Sequence, residues 1–489
     1  MSVDPDKALT ENILEEQYYE DVTRKTIKFF EELNLSLNDL LDLQKKQPII
    51  YPWDDKYNTA RLGFNKIGQY FPKFIVMVSI KKDVKWALQF TKKYNIPFTI
   101  KGGGHDSLCY SLCNGIIIDM SNRNYIDVNL DTNTVKIGAG VRIGCLVEIL
   151  NKNKLFISMG SCFNVGITGL TQGAGCGYLR RKYGLTIDHL LDITIVLSEG
   201  KIVKCSKNDY SDLFWALSGG GGGSFGVITD LTFKAHKAEK MVIFSVWIPF
   251  KHFTNAFDIW QKWSFEATKN LTSYIQLYSP NDNKREEAIL VAGQFTGKKF
   301  ELLKLLEIFG DLPSKKILHY KDLLETECEC CIRYPEYFYK YLNLFALEYL
   351  PRKTIHGLKK ILKASPSYCR IEIDGMGGVI SEMKSTDTAF PWRNSKFWLV
   401  CRSATDNQED IPFMNKWVHS TYNYLLENGM SNIKTGLAMS YVNFKNPELT
   451  KEEYPLVYWS ENAKKLSKIK RKYDPDDIFH FAQSVPLKL

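Results

Sequence analysis

Apolar residues recur every three or four positions through ILEEQYYEDVTRKTIKFFEELNLSLNDLLDL, and this spacing predicts helices between about Thr10 and Gln44. Shorter patterns alternate after that segment. FIVMVSI, PFTIKGG, GIIIDMS and TVKIGAG are predicted strands, whereas DVKWALQFTKKYN and RIGCLVEILNKNK are predicted helices. LDITIVLSEGKIVKCS predicts a hairpin that turns at Glu199 and Gly200. Strands and helices therefore share the first half of the chain, which ends near His236.

From about Met241 the apolar segments become longer. MVIFSVWIPF, SYIQLYS, EAILVAGQF, CRIEIDGMGGVISEM and KFWLVCRSA are strand candidates, and PFMNKWVHSTYNYLLENG is one of the helices between them. This pattern predicts an antiparallel sheet covered on one face by helices. After about Thr450 the chain forms a helix, AKKLSKIKRKY, that stops before Pro475. The expected fold class is α+β, divided into residues 1–45, 46–240, 241–449 and 450–489.

Two glycine-rich segments carry the candidate chemistry. KGGGHD, residues 101–106, puts His105 directly behind three glycines and just after a predicted strand. GSCFNVGITGLTQGAGCGYLRRKYGL, residues 160–185, puts Cys162 at the start of a turn with many glycines. Glycine has no Cβ, so backbone amides in such loops can approach a phosphate or a flat ring closely. A histidine and a cysteine beside that surface can each bond to an electrophilic cofactor, and the two segments together indicate a flavin.

A third glycine run contains a nominal G-x-G-x-x-G at Gly221, Gly223 and Gly226. A dinucleotide-binding fingerprint of this kind has to follow a strand and open a helix. Here the run leads into VITDLTF, which is a predicted strand. The run is therefore expected to form a turn packed near the cofactor, and it does not indicate a dinucleotide-binding fold.

These segments, with YNTARLGFN, SDLFWALSGGGGGSFGVITDLTF and YWSENAKKLSKIKRKYDPDDIFHFAQSV, resemble the berberine bridge enzyme-like family of FAD-linked oxidases, within the vanillyl-alcohol oxidase superfamily. The resemblance implies a two-part PCMH-type FAD-binding domain over residues 46–240 and a substrate domain over residues 241–449. Residues 450–489 would return to the FAD domain. It also implies FAD attached twice, through His105 to the 8α-methyl group and through Cys162 to C6.

The resemblance implies further contacts with the cofactor. Lys101 and the amides of the glycines that follow would face the diphosphate, although the family usually has an arginine where Lys101 stands. Gly226, Val227 and Ile228 would touch the adenosine half, and Asn462 would lie near the flavin ring. The remaining expected cofactor-binding residues are Gly102, Gly103, Gly104, Asp106, Gly166, Gly169, Gly173 and Gly175.

Two catalytic candidates come from the same resemblance. Tyr441 in SYVNF matches a tyrosine that serves as general base, and Asp374 in IEIDGMGG matches an acidic partner in some relatives. The alternatives are a tyrosine that only packs on the sheet and an ordinary turn aspartate. Three segments depart from the family on the substrate side, namely Pro391-Trp392-Arg393, Trp459-Ser460-Glu461-Asn462 and the apolar strand KFWLVCR. Substrate identity is therefore not carried over.

The expected function is oxidation of an alcohol or sugar-like hydroxyl, with hydride passing to FAD and dioxygen giving hydrogen peroxide. The expected partners are thus a small-molecule substrate and dioxygen. The alternative is a flavoprotein kept mainly as a structural or packaging component with little turnover. Both remain open at the level of sequence, as does the oligomeric state.

Charge and cysteine content narrow the picture further. The net charge of +9 over 489 residues lies in scattered lysines, without a dense basic block interleaved with aromatics, so no nucleic-acid partner is expected. The polar N-terminal segment argues against a secretory signal or a membrane anchor, and a cytoplasmic location is expected. Eleven cysteines show no disulfide framework. Cys328, Cys330 and Cys331 lack the second ligand pair of a zinc site, so reduced thiols are expected there and no metal.

Overall fold

A computed structural model describes residues 5–281, 288–321, 337–432 and 435–489. The α-helices in these ranges are α1 Pro5–Glu32, α2 Leu37–Lys46, α3 Tyr57–Ala60, α4 Lys81–Tyr94, α5 Ile143–Lys152, α6 Ile167–Gly173, α7 Arg180–Tyr183, α8 Ser211–Leu217, α9 Phe253–Glu266, α10 Lys299–Leu306, α11 Arg352–Lys363, α12 Ile411–Leu425, α13 Tyr454–Trp459 and α14 Asn462–Tyr473.

The strands before residue 240 are β1 Ile49–Ile50, β2 Phe74–Met77, β3 Phe98–Lys101, β4 Ile116–Asp119, β5 Ile126–Asn129, β6 Thr134–Gly138, β7 Leu155–Phe156, β8 Leu190–Val196, β9 Ile202–Ser206, β10 Val227–Lys234 and β11 His236–Lys237. Those after it are β12 Met241–Ile248, β13 Leu271–Tyr278, β14 Ile289–Phe295, β15 Lys315–Lys321, β16 Phe338–Ala346, β17 Cys369–Gly375 and β18 Phe397–Thr405.

The first half contains two larger sheets. One has the strand order β1-β2-β4-β3, in which β2, β4 and β3 run parallel. The other is antiparallel, with the order β5-β6-β10-β8-β9. Strands β8 and β9 form the predicted hairpin, and Gly200 in its turn has φ +78°, a conformation that favours glycine. The third glycine run leads into strand β10, so the predicted exclusion of a dinucleotide fingerprint is confirmed.

The second half is built on a seven-stranded antiparallel sheet with the order β15-β12-β14-β13-β17-β18-β16. Helix α9 packs on β13 and β17, helix α12 packs on β16 and β18, and helix α11 packs against both of these helices. Strand β17 alternates as the pleat requires, with Cys369, Ile371 and Ile373 buried on the helix side. The α+β fold is therefore confirmed, and one face of this sheet is left for a site.

The C-terminal helices lie against the first half. The ammonium group of Lys470 is fully buried and donates to the carbonyl oxygens of Ser224 (2.8 Å) and Phe479 (2.7 Å) and to the carboxylate of Asp474 (2.5 Å). Helix α14 also contacts helix α8. These contacts hold residues 454–485 beside the third glycine run, while the domain boundaries themselves stay predictions.

Strand β17 is shorter than the segment CRIEIDGMGGVISEM suggested. It ends at Gly375, and a 3-10 turn over Gly378–Glu382 follows. Gly377 and Gly378 have φ +85° and +63°, and a Cβ at Gly378 would lie 2.2 Å from the carbonyl oxygen of Arg181. The two glycines therefore turn the chain onto helix α7 instead of extending the strand.

Two further expectations concern the cysteine cluster near residue 330 and the absence of a membrane anchor. Cys328, Cys330 and Cys331 lie outside the described residues. Among the helices within the described ranges, none is long and apolar enough to cross a membrane.

Candidate active site

A cavity of about 590 Å³ lies between the glycine loops of the first half and the uncovered face of the seven-stranded sheet. Twelve of the residues expected from the sequence line it: His105, Cys162, Tyr441, Asp374, Gly102, Gly103, Gly104, Asp106, Gly166, Gly169, Gly226 and Ile228. The structure thus brings together residues from the first half, the large sheet and the segment after it.

The two glycine loops meet backbone to backbone. A Cβ built on Gly103 would lie 2.3 Å from the amide nitrogen of Gly166, and a Cβ on Gly166 would lie 2.4 Å from that of Gly103. Side chains of any other type would force the loops apart, because real Cβ atoms do not make such short contacts. This crossing places His105 and Cys162 at the same cavity.

His105 is fixed by aromatic stacking and by a hydrogen-bonded asparagine. Its ring stacks on Phe64 with centroids 3.8 Å apart, and Phe64 stacks on Tyr339 at 4.5 Å. Asn65 donates to the carbonyl oxygens of Ser107 (2.8 Å) and Tyr339 (2.9 Å), which ties the loop to strand β16. Burial lowers the pKa of His105 to about 4, so its imidazole is neutral at neutral pH, as a nucleophile requires.

Asp106 shapes the turn that follows His105. Its carboxylate accepts hydrogen bonds from the backbone amides of Leu108 (2.9 Å) and Tyr110 (3.2 Å). Gly226 has φ +155°, and a Cβ there would lie 2.6 Å from the carbonyl oxygen of Val196. Backbone crowding therefore requires glycine at position 226.

Lys101 does not face the cavity, contrary to the expectation for the diphosphate. Its ammonium group donates to the carbonyl oxygen of Ala60 (2.5 Å) and pairs with Asp119 (3.2 Å), and both charged side chains are buried. Because strands β3 and β4 run parallel and place Lys101 opposite Asp119, the charge is neutralised within the sheet. Backbone amides remain as the groups that would face a phosphate.

Asn462 is also displaced from its expected position near a flavin ring. Its side-chain amide donates to the carbonyl oxygens of Ser385 (2.8 Å), Thr388 (3.3 Å) and Ala389 (3.3 Å). It therefore holds the loop that precedes Phe390, whose ring contacts Tyr441. Asn462 thus stabilises a loop next to the site and does not line the cavity itself.

Gly173, Gly175 and Val227 are the other expected cofactor contacts that lie off the cavity wall. The amide of Gly175 donates to the phenol oxygen of Tyr441 (3.0 Å), and a Cβ on Gly173 would lie 2.4 Å from the side-chain amide of Asn443. Val227 is fully buried in strand β10. The two glycines thus shape the surroundings of Tyr441.

Tyr441 is buried, and its phenol oxygen accepts hydrogen bonds from the Gly175 amide and from the side-chain amide of Asn443 (3.1 Å). Its ring lies edge-on to Trp398 at 5.4 Å and to Phe390 at 6.3 Å. Burial raises the pKa of Tyr441 above its ordinary value, although the two amide donors act in the opposite direction. The phenol is therefore protonated at neutral pH in the protein without substrate.

Asn343 positions this tyrosine, and sequence analysis missed it. Its side-chain oxygen accepts from the backbone amide of Tyr441 (2.7 Å) and from the indole of Trp398 (2.9 Å). Its side-chain amide donates to the carbonyl oxygen of Phe444 (2.7 Å). The available signal was a single amide in the otherwise apolar segment LNLFA of strand β16.

Charged groups on strand β17 face the cavity because they alternate with its buried residues. Asp374 accepts a hydrogen bond from the guanidinium group of Arg180 (2.8 Å). Burial raises the pKa of Asp374, and Arg180 opposes that shift. The hydrogen bonds of Tyr441 and Asp374 thus go to different partners, although both side chains line one cavity.

These residues fit a flavin nucleotide. The crossing glycine loops form a cradle that a Cβ would fill, and they expose backbone amides suited to a diphosphate. The neutral His105 and the thiol of Cys162 share the cavity wall. The fold and this site define an FAD-binding oxidoreductase.

Comparison with known proteins agrees. The family model described as FAD binding domain matches residues 72–206 of this chain. The family model described as berberine and berberine like matches residues 440–486. An uncharacterized FAD-linked oxidoreductase of Bacillus subtilis, YgaK, is 31% identical over 88% of this chain and 95% of its own. The carbohydrate oxidase of Microdochium nivale is 25% identical over 90% of this chain and 93% of its own. The chain belongs to the berberine bridge enzyme-like family of FAD-linked oxidases.

Solved structures share the fold. The wild-type berberine bridge enzyme-like 1 of Physcomitrella patens matches with a TM-score of 0.82 at 23% identity, covering 90% of this chain and 97% of its own. Chitooligosaccharide oxidase matches with a TM-score of 0.81 at 22% identity, covering 91% of this chain and 98% of its own.

Proposed function

We propose that this protein oxidises an alcohol or sugar-like hydroxyl group with an FAD that is bonded to both His105 and Cys162. The observation that carries the proposal is a single cavity lined by the neutral His105, Cys162 and the buried phenol of Tyr441. When bound, FAD supplies the hydride acceptor and is reoxidised by dioxygen, which leaves as hydrogen peroxide. The partners are thus a small-molecule substrate and dioxygen.

His105 and Cys162 anchor the cofactor. The imidazole of His105 is neutral and held by its stack on Phe64, so a ring nitrogen lone pair is available for bond formation in a fixed direction. Cys162 lies four residues before Gly166, whose backbone crosses that of Gly103, so both attachment points border the same backbone crossing. Two bonds from two loops would hold the flavin without a cationic contact from Lys101.

Tyr441 receives the hydroxyl proton of the substrate. Two N–H groups donate to its phenol oxygen, and hydrogen bonds to an anion stabilise that anion. Only the deprotonated phenol can act as the base, so the raised pKa of Tyr441 limits the active fraction at neutral pH. Asp374, which lines the same cavity and is held by Arg180, is the proposed acidic partner of Tyr441.

Covalent attachment is tested by acid precipitation of the purified protein. The wild-type pellet should stay yellow, and each of His105→Ala and Cys162→Ala should retain flavin through the other bond. The double variant should release it. Cys176→Ala is the matched control, because Cys176 also lines the cavity, and this variant should keep both bonds. A colourless wild-type pellet would contradict the proposal.

Turnover is tested by anaerobic flavin reduction in a stopped-flow instrument. Carbohydrates come first in the panel, because relatives are described as carbohydrate oxidase and chitooligosaccharide oxidase, and aromatic alcohols come second. Reduction by a member of the panel supports the oxidase. Covalent flavin that no member reduces would favour the alternative, a flavoprotein with a structural or packaging role and little turnover.

A further inference from the structure

Three charged side chains form a cluster on the cavity wall that the proposed reaction does not use. Glu372 accepts from Arg370 (2.7 Å) and from Arg402 (3.1 Å), and all three line the cavity. Arg370 and Arg402 are cross-strand partners on β17 and β18. The cluster is therefore built by the register of the sheet, and it faces the space available to a ligand.

The cluster carries an excess positive charge. Burial alone would raise the pKa of Glu372, but the two guanidinium groups outweigh it and hold that pKa below its ordinary value. One carboxylate thus stands against two cations, whereas the neighbouring Asp374 is matched by Arg180 alone. A surplus cation on a largely enclosed wall is costly unless an anion joins it.

Each guanidinium group carries five N–H donors, and Glu372 uses only part of them. Among the described residues, the Nε–H of Arg370 is also buried without a hydrogen-bond partner. Tyrosine rings flank both guanidinium groups, with Tyr341 at 5.3 Å from Arg402 and Tyr278 at 6.0 Å from Arg370. The rings lie within range of a cation–π contact, and the planar fork of a guanidinium group is suited to a carboxylate.

The sheet register also places this cluster relative to the candidate base. Trp398, which contacts Tyr441, pairs with Asp374. Both guanidinium groups reach Glu372, which is two residues from Asp374 on the same face of β17, a separation of about 7 Å along the strand. A ligand that reaches both positions therefore carries its anionic group several bonds away from its reacting hydroxyl.

We propose that the substrate is anionic and carries a carboxylate that Arg370 and Arg402 bind, several bonds away from the hydroxyl that is oxidised. This inference rests on the proposed function, and it adds the chemical class of the substrate. Glu372 orients the two guanidinium groups, and its negative charge cancels one of their two positive charges.

The test is equilibrium binding to the holoprotein, with its flavin first reduced by dithionite and oxygen excluded so that no turnover occurs. Binding of cellobiouronic acid and of its neutral counterpart cellobiose is measured by calorimetry. The acid should bind at least about tenfold more tightly than cellobiose, because a hydrogen bond to a charged group changes the dissociation constant by more than a factor of about ten. Added salt should weaken binding of the acid and leave that of cellobiose unchanged.

Two substitutions should act in opposite directions. Arg370→Gln removes the excess charge and should abolish the preference for the acid, whereas Glu372→Gln frees both arginines and should increase it. Arg352→Gln is the control, because Arg352 is exposed and lies away from the cavity. Covalent flavin content and thermal denaturation are recorded for each variant, so that a misfolded variant is recognised.

Equal affinity for the two sugars, a preference that persists in Arg370→Gln, or failure of both sugars to bind would overturn the anionic site. Reduction of the flavin by a neutral alcohol would still support the oxidase in that case. If the acid binds with the expected preference but no compound reduces the flavin, the carboxylate site stands and the oxidation does not.

Discussion

At the scale of single residues, Tyr441 carries the sharpest expectation. Replacing it with phenylalanine keeps the ring contact with Trp398 and removes the oxygen that accepts from Gly175 and Asn443. Loss of a positioned base slows the chemical step by about 10²–10⁴-fold. The measurement is the anaerobic rate of flavin reduction, and a near-normal rate in Tyr441→Phe would remove the tyrosine from the mechanism.

The pH dependence of the flavin reduction rate provides a second test of Tyr441. Since burial raises the pKa of Tyr441 and the deprotonated phenol is the active form, the reduction rate of the wild type should rise with pH through the neutral and mildly alkaline range. Tyr441→Phe should flatten that rise. Tyr424→Phe, whose hydroxyl binds the carbonyl oxygen of Thr354 on the helix-covered side, should keep the wild-type profile.

Asn343 is expected to act by positioning. Asn343→Ala leaves the amide of Tyr441 and the indole of Trp398 without their acceptor, at a cost of about 1–3 kcal/mol for each buried group. Its kcat should fall at unchanged covalent flavin content. Asn343→Asp restores the acceptor and should recover part of kcat. A destabilised Asn343→Ala protein with full kcat would show that the residue only supports the fold.

At the scale of elements, the crossing of the two glycine loops is the feature to perturb. Gly103→Ala places a methyl group on the backbone of Gly166, and overpacking of this kind costs about 1–3 kcal/mol. Thermal denaturation should show the loss, and mass spectrometry should show less flavin attached. In Gly169→Ala the added methyl has no atom within 4 Å beyond its chain neighbours and the nearby backbone of its own helix, so the melting temperature of the protein without FAD should not fall. Equal melting temperatures for the two variants would contradict the crossing.

The same scale explains which elements sequence reasoning found. The hairpin β8–β9 was predictable because its apolar alternation and its turn glycine are local signals. The end of β17 at Gly375 could not be predicted in this way. The turn at Gly378 packs against the carbonyl oxygen of Arg181, which is far away in the sequence.

At the scale of the whole molecule, the buried ammonium group of Lys470 pairs with Asp474 inside the C-terminal segment and donates to the carbonyl oxygen of Ser224 in the first half. Lys470→Met would leave Asp474 charged and buried and remove the donor to Ser224, and breaking such a pair costs about 3–5 kcal/mol. Denaturant unfolding should report this loss, whereas Lys468→Met on the exposed side of α14 should change the free energy of unfolding little. An unaltered midpoint in Lys470→Met would mean that the Lys470 contacts contribute nothing to holding the tail, which also contacts Asp212 through Lys472 and Tyr473.

The sequence by itself determined the fold class and the cofactor class, because the apolar periods, the turn glycines and the two loops around His105 and Cys162 are local signals. Only the tertiary structure decided how the charges are used. Strand pairing turned Lys101 toward Asp119 and away from the cavity, and it aligned Arg370, Glu372 and Arg402 along the cavity. These arrangements depend on which strands become neighbours in a sheet, and the residues of one strand do not by themselves name its partner.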